Sequence, residues 1–235
     1  TKNIFLRVET YNKTFDNLLT LKESALDTED EDENPTDTMS TANEFWDTKG
    51  NSHGLELLIK KSSGRLNGWV GYTYSKTKYN NEISGNHYPG FDRTHTLNVV
   101  GNFMLTKTLQ LSSSITQMSG NPYTKIIGRV TEWNQSINRQ SQWFPYDKYL
   151  VGDKNSARYD DYFRLDMGIA RKGGNLFGIE YDTNIQIMNL TRHFNVLTYQ
   201  YRINRDLITG DQLGVQRRAI SMFPLIITLG VKVVF

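Results

Sequence analysis

The sequence predicts an all-β fold: a transmembrane antiparallel β-barrel of about eight strands. Three observations predict it. Apolar residues recur at every second position in segment after segment, short and long connections alternate, and no run approaches the ~18 to 20 apolar residues of a membrane-spanning helix. The composition agrees, because hydrophobic residues make up only 37% and mean hydropathy is −0.55, yet aromatics reach 12%, with 13 Tyr, 11 Phe and 4 Trp. A disordered chain would lack those rings. The absence of Cys excludes disulfide scaffolds, thiolate metal sites and cysteine nucleophiles.

The elements follow in order. Ile4, Leu6 and Val8 alternate with Phe5, Arg7 and Glu9, and Leu55, Leu57 and Ile59 alternate with Glu56, Leu58 and Lys60. Each segment has a greasy side and a charged side, as a strand demands. Leu66, Gly68, Val70, Tyr72 and Tyr74 share a third face. Leu97, Val99, Gly101, Phe103 and Leu105 oppose Asn98, Val100 and Asn102, and Leu109, Leu111 and Ile115 alternate with Ser112, Ser114 and Thr116. Phe163, Leu165, Met167 and Ile169 oppose Arg164 and Asp166, while Ile179, Tyr181, Thr183, Ile185 and Ile187 oppose Glu180, Asp182, Asn184 and Gln186. The last element, Phe223 to Phe235, is apolar at every odd position.

Periodicity alone also fits a soluble sandwich, so the connections decide. Ser62-Ser63-Gly64, Thr106-Lys107 and Gly173-Gly174-Asn175 are short and turn-like, whereas residues 22–52, 80–91, 119–160 and 191–221 are long. Strict alternation of the two kinds is the layout of outer-membrane barrels, with tight turns on one side and extracellular loops on the other. Hydrocarbon offers no partner to a free N–H or C=O, so a spanning sheet must close, with apolar residues toward lipid and polar ones toward the lumen. Aromatics near the strand ends, among them Tyr72, Tyr74, Tyr79, Tyr159, Tyr162, Phe163, Tyr199, Tyr201, Phe223 and Phe235, suit the headgroup level.

Charge is segregated. From Lys22 to Asp37 eight acids face one base, which reads as a solvated extracellular loop, since the run lacks the Gly and ligand spacing of a calcium loop. The remaining bases form no block with a nucleic-acid motif, so no nucleic-acid partner is expected. His53, His87, His95 and His193 show no metal-ligand spacing, and no local motif brings a nucleophile to a base; neither cofactor nor enzymatic activity is expected.

Candidate functional residues lie elsewhere. In the segment 119–160, Trp133, Trp143 and Tyr146 are candidate contacts for a sugar, an aromatic ligand or a surface partner, the alternative being rings that pack on one another to order the loop. Lys125, Arg129, Arg139, Lys148 and Lys154 suit contact with anionic lipopolysaccharide. Arg7, Glu9, Arg164 and Asp166 are candidate lumen residues, or members of cross-strand ion pairs. Phe223, Val231, Val233 and the terminal Phe235 resemble the signal read by the outer-membrane assembly machinery.

Several stretches carry a further likeness: Gly54-Leu55-Glu56, Trp69-Val70-Gly71-Tyr72-Thr73-Tyr74-Ser75, Phe91-Asp92-Arg93-Thr94-His95-Thr96-Leu97-Asn98 and Ser119-Gly120-Asn121-Pro122-Tyr123-Thr124. Tyr162-Phe163-Arg164-Leu165-Asp166, Asn189-Leu190, Asn195-Val196 and the ending Leu229-Gly230-Val231-Lys232-Val233-Val234-Phe235 complete the set. In this order they resemble the C-terminal part of the barrel of a TonB-dependent outer-membrane receptor. The resemblance implies a barrel of about 22 strands around an N-terminal plug. It also implies uptake of a scarce nutrient such as a siderophore, a vitamin or an oligosaccharide, driven through TonB. These residues include no plug, so the plug and the remaining barrel strands are expected in the same or another chain, with Arg7, Glu9, Arg164 and Asp166 as plug contacts. Outer-membrane lipid and lipopolysaccharide are the expected surroundings, and a surface lipoprotein a further partner. The alternative is a free-standing eight-stranded outer-membrane barrel with a structural or adhesive role.

Overall fold

The computed structural model describes residues 3–21, 45–135, 143–205 and 212–234. Every regular element among them is a strand: β1 (Ile4–Leu21), β2 (Phe45–Lys61), β3 (Leu66–Asn81), β4 (Gly85–His87), β5 (His95–Met104), β6 (Leu109–Met118), β7 (Pro122–Tyr123) and β8 (Ile126–Gln135), then β9 (Trp143–Val151), β10 (Ala157–Arg158), β11 (Tyr162–Leu176), β12 (Ile179–Met188), β13 (Val196–Arg205), β14 (Gln212–Ser221) and β15 (Ile226–Val234). The all-β, antiparallel expectation holds. Eight long strands form one sheet in the order β1-β2-β3-β5-β6-β11-β12-β15, with β4 hydrogen-bonded beside β3. Among the described residues β1 and β15 do not pair, so the sheet is open between them.

Register converts the period-two sequence into two faces. Leu6, Ile59, Val70, Val99, Ile115 and Leu165 are successive cross-strand partners from β1 to β11. Four residues along each strand, and therefore on the same face, Leu66, Phe103, Leu111, Ile169, Ile185 and Leu229 form a second row from β3 to β15. The opposite face carries the polar row Asn67, Asn102, Ser112, Gly168, Gln186 and Thr228. A one-residue slip anywhere would move apolar groups onto this polar side, so the alternation fixes the register.

Burial is the reverse of a soluble sheet protein. Val196 is the one buried hydrophobic residue among the described ones, whereas Thr48, Ser52, Thr77, Asn81, His87, Asp92, Asn189 and Asn195 are buried polar residues. The apolar face lies open: Leu6 is 61% exposed, Ile227 60%, Leu229 76% and Val231 68%.

Two expectations need correction. The third tight turn is not at Gly173-Gly174-Asn175, because β11 runs on through these residues with a register shift between Arg171 and Gly174. The chain reverses at Phe177 and Gly178, with φ of 53° and 88°, and the Asn175 carboxamide accepts the Gly178 N–H at 3.1 Å. Two successive positive φ angles match the twist of the flanking strands, which a Gly pair upstream does not ensure. Nor are the long connections wholly irregular. Residues 119–160 contain the β8–β9 hairpin and the short β7–β10 pair, residues 191–221 the β13–β14 hairpin, and β2 starts at Phe45 inside the segment 22–52. These hairpins pair outside the main sheet and need no uniform apolar face, so the period-two signal passed over them.

Candidate functional site

The tight turns gather at one end of the sheet and the long connections at the other. At the long-connection end, Asp92 is the central group. Its side chain is fully buried and accepts the Thr77 backbone N–H at 2.7 Å and an Arg158 Nη2 hydrogen bond at 2.5 Å. Arg158 also donates to the carbonyls of Asp92 and Gly120, and its guanidinium lies 4.9 Å above the Tyr88 ring. One carboxylate and one guanidinium thereby tie together β3, the β4–β5 connection, the residues just after β6, and β10. Beside them Arg93 donates to the Ser119 carbonyl, and burial pulls its pKa below the usual arginine value.

Two asparagines repeat the device at β11, β12 and β15. Asn195 accepts the Phe163 N–H at 2.8 Å and donates to the Phe163 carbonyl at 2.9 Å, mimicking a neighbouring strand. Asn189, at φ 52°, donates to the carbonyls of His193 and Phe223 and accepts the His193 N–H. Asn tolerates this left-handed conformation better than most residues, which suits it to the corner. Its own N–H is taken by Asp166, itself paired with Arg164 at 2.9 Å.

A tyrosine cluster joins the β7–β10 pair to the β13–β14 hairpin. Ring centroids of Tyr123 and Tyr159 are 4.4 Å apart, those of Tyr159 and Tyr199 5.1 Å, and Arg217 sits 4.3 Å over Tyr199 while donating to the Tyr123 hydroxyl. Burial raises the phenol pKa values of Tyr123 and Tyr199. With the cation stacked on one ring, the cluster is worth more than its contact area alone.

On the polar face, an open cleft of about 530 Å³ is lined by Glu9, Tyr11, Lys13, Phe15, Glu56 and Tyr79, among others. Glu9 and Glu56 are direct cross-strand partners, and Arg7 pairs with Glu9 at 2.5 Å. Tyr11 fits against Gly54, where a Cβ would approach its ring to 2.7 Å, and its hydroxyl bonds Ser75 Oγ at 2.7 Å. Aromatic faces, hydroxyls and two neighbouring carboxylates equip this cleft for a hydroxyl-rich or cationic ligand, or for a basic polypeptide segment.

The structure brings Arg7 and Glu9 to this cleft region and places Arg164 and Asp166 in the asparagine clamp. Trp133 is 64% exposed on β8, opposite Pro145. Trp143 and Tyr146 stand opposite Gln135 and Glu132 in the same hairpin, with side chains outside the described set. Val231 and Val233 lie on β15, Phe223 precedes it at 72% exposure, and Phe235 lies outside the described residues. Sequence reasoning did not pick out Asp92, Arg158, Asn189, Asn195 or the tyrosine cluster as functional. Their partners are 32 to 66 residues away for Asn195 and Arg158, and only recurrent Asp and Asn at strand ends hinted at them. Among the described residues no group of three His, Asp or Glu is placed to hold a metal ion. Compared with protein-family models, curated proteins and solved structures, the chain matches none.

Proposed function

We propose that the chain is part of the wall of an outer-membrane β-barrel that serves as a receptor and transporter for a scarce nutrient. The observation that carries the reading is the inverted burial. Two apolar rows, six strands wide, lie exposed or half-buried on one face, while the fully buried side chains are almost all polar. In water such a face exceeds the few hundred Å² of apolar patch that soluble proteins tolerate, and hydrocarbon is its natural cover. Further support comes from Tyr72, Tyr74 and His95, which cluster at the loop end of that face as an interfacial girdle would. Hairpin ends are staggered, since Leu109 at the start of β6 pairs with Arg171 while β11 continues to Leu176, and stagger accompanies tilted barrel strands.

The uptake role is supported by long connections gathered over a polar cleft at one end, and by the receptor resemblance of the sequence. Among the described residues the outer edges of β1 and β15 are unpaired, which favours a wall completed by further strands. The count of eight long strands favours the second reading, a free-standing barrel with a structural or adhesive role. Cysteine pairs scanned along β1 and β15 would cross-link in that small barrel and stay apart in the larger wall.

The wall itself is tested by single cysteines. Glu82→Cys near the loop end should react with a membrane-impermeant maleimide on intact cells, and Ser63→Cys in a tight turn only after the outer membrane is permeabilised. Equal labelling of both, in a protein found in the soluble fraction, overturns the reading. The uptake role predicts that deleting the gene slows growth on limiting iron, vitamin or glycan, and that the gene restores it; unchanged growth on all three contradicts it.

A further inference from the structure

We propose that the tight-turn end of the sheet carries a binding surface for anionic phospholipid headgroups, built from Lys61, Arg65, Lys107 and Arg171. The inference rests on the membrane-wall reading above and adds a lipid class to it. All four residues are exposed, and among the described residues none forms an ion pair. They are not scattered. Arg65, in the β2–β3 turn, donates to the Met104 and Leu105 carbonyls at the end of β5 and lies 5.7 Å over the Phe103 ring. The β5–β6 turn carries Lys107, and beyond it the Lys172 N–H reaches the Thr108 carbonyl at 2.8 Å while Arg171 stands opposite Leu109. Two adjacent turns and the neighbouring stretch of β11 are thus laced into one cationic edge. The carboxylates of this end, Glu180 and Asp182, stand on β12, and Asp182 accepts the Gly173 N–H.

The position of these cations selects the partner. Lys61 and Arg171 share the apolar face with Ile59 and Ile169, two residues further toward the turns. Their aliphatic stems continue the apolar band and their charged ends reach past it, to the level where lipid phosphates lie. Arg65 presents a planar fork suited to phosphate oxygens. Attraction to anionic lipid accumulates with each Lys or Arg held near the surface, and it is screened by salt.

The test uses the protein with every chain and strand that copurifies, reconstituted in phosphatidylcholine vesicles. Trace spin-labelled phosphatidylglycerol or phosphatidylcholine reports lipid immobilised at the protein surface. The expected result is about threefold greater immobilisation of phosphatidylglycerol at low salt. Parity is expected at high salt, and in the variant combining Lys61→Gln, Arg65→Gln, Lys107→Gln and Arg171→Gln. The salt arm needs no variant to fold. Equal immobilisation of both lipids at low salt by inserted native protein overturns this inference alone, and is also what a rim meeting an acidic protein would give. A protein that does not enter the vesicles overturns the membrane reading, and the lipid surface with it.

Discussion

The apolar face of the sheet and the polar clamps at its loop end are held by opposite means. On the sheet face, backbone ladders supply the order, and side chains such as Leu229 at 76% exposure touch little protein. At the loop end, Asp92 at 2%, Asn189 at 2% and Asn195 at 3% are buried and spend their side chains on backbone groups that no ladder reaches. The difference teaches where each region draws its stability. On the proposed reading the first draws on an apolar solvent, whereas the second is satisfied internally whatever surrounds it.

Four perturbations separate the two regions, from the largest effect to the smallest. Asp92→Ala strands a guanidinium and a buried N–H, and should cost ~3 to 5 kcal/mol in denaturant titrations, in detergent and bilayer alike. Leu229→Lys should cost ~2 to 4 kcal/mol in a bilayer, while Thr228→Lys on the polar face costs far less. In a water-soluble protein the exposed Leu229 would tolerate the change, so the pair of variants breaks the comparison if both are neutral. Asn195→Ala leaves Phe163 without its side-chain partners and should lower stability by ~1 to 3 kcal/mol, again independent of the lipid.

The smallest effect is the pH response of the tyrosine cluster. Tyr123 and Tyr199 have folded-state pKa values raised above the ordinary phenol value, so the neutral rings are the favoured folded form. Their stabilising contribution is complete below the unfolded pKa near 10 and is lost as pH rises through the raised folded values. Absorbance of tyrosinate should show these two ionising later than the bulk of the tyrosines; simultaneous titration would contradict the packing of Tyr123, Tyr159 and Tyr199.

The two regions also differ in how legible they were. All eight strands of the main sheet were readable, because rows such as Leu66, Phe103, Leu111, Ile169, Ile185 and Leu229 repeat one local rule in each strand. The β11–β12 turn was misplaced because Gly173 and Gly174 give a stronger turn signal than Phe177-Gly178, and only the register shift after Arg171 resolves it. The clamps were not readable as a unit. Arg158 meets Asp92 across 66 residues, and the tyrosine cluster meets Arg217 across 94 residues from Tyr123, so proximity there is a product of tertiary folding with no local period behind it. Glu9 lines the polar-face cleft, and alternation along β1 indicates such a face but not what cleft forms on it.

The central claim is that the exposed apolar face meets hydrocarbon. Because the chain contains no Cys, nitroxides can be attached one at a time along β15. The account predicts that collision with oxygen dominates at Ile227, Leu229, Val231 and Val233, and collision with a water-soluble nickel complex at Ile226, Thr228, Gly230 and Lys232, in strict alternation. Uniformly high access to the nickel complex at all eight positions would contradict it.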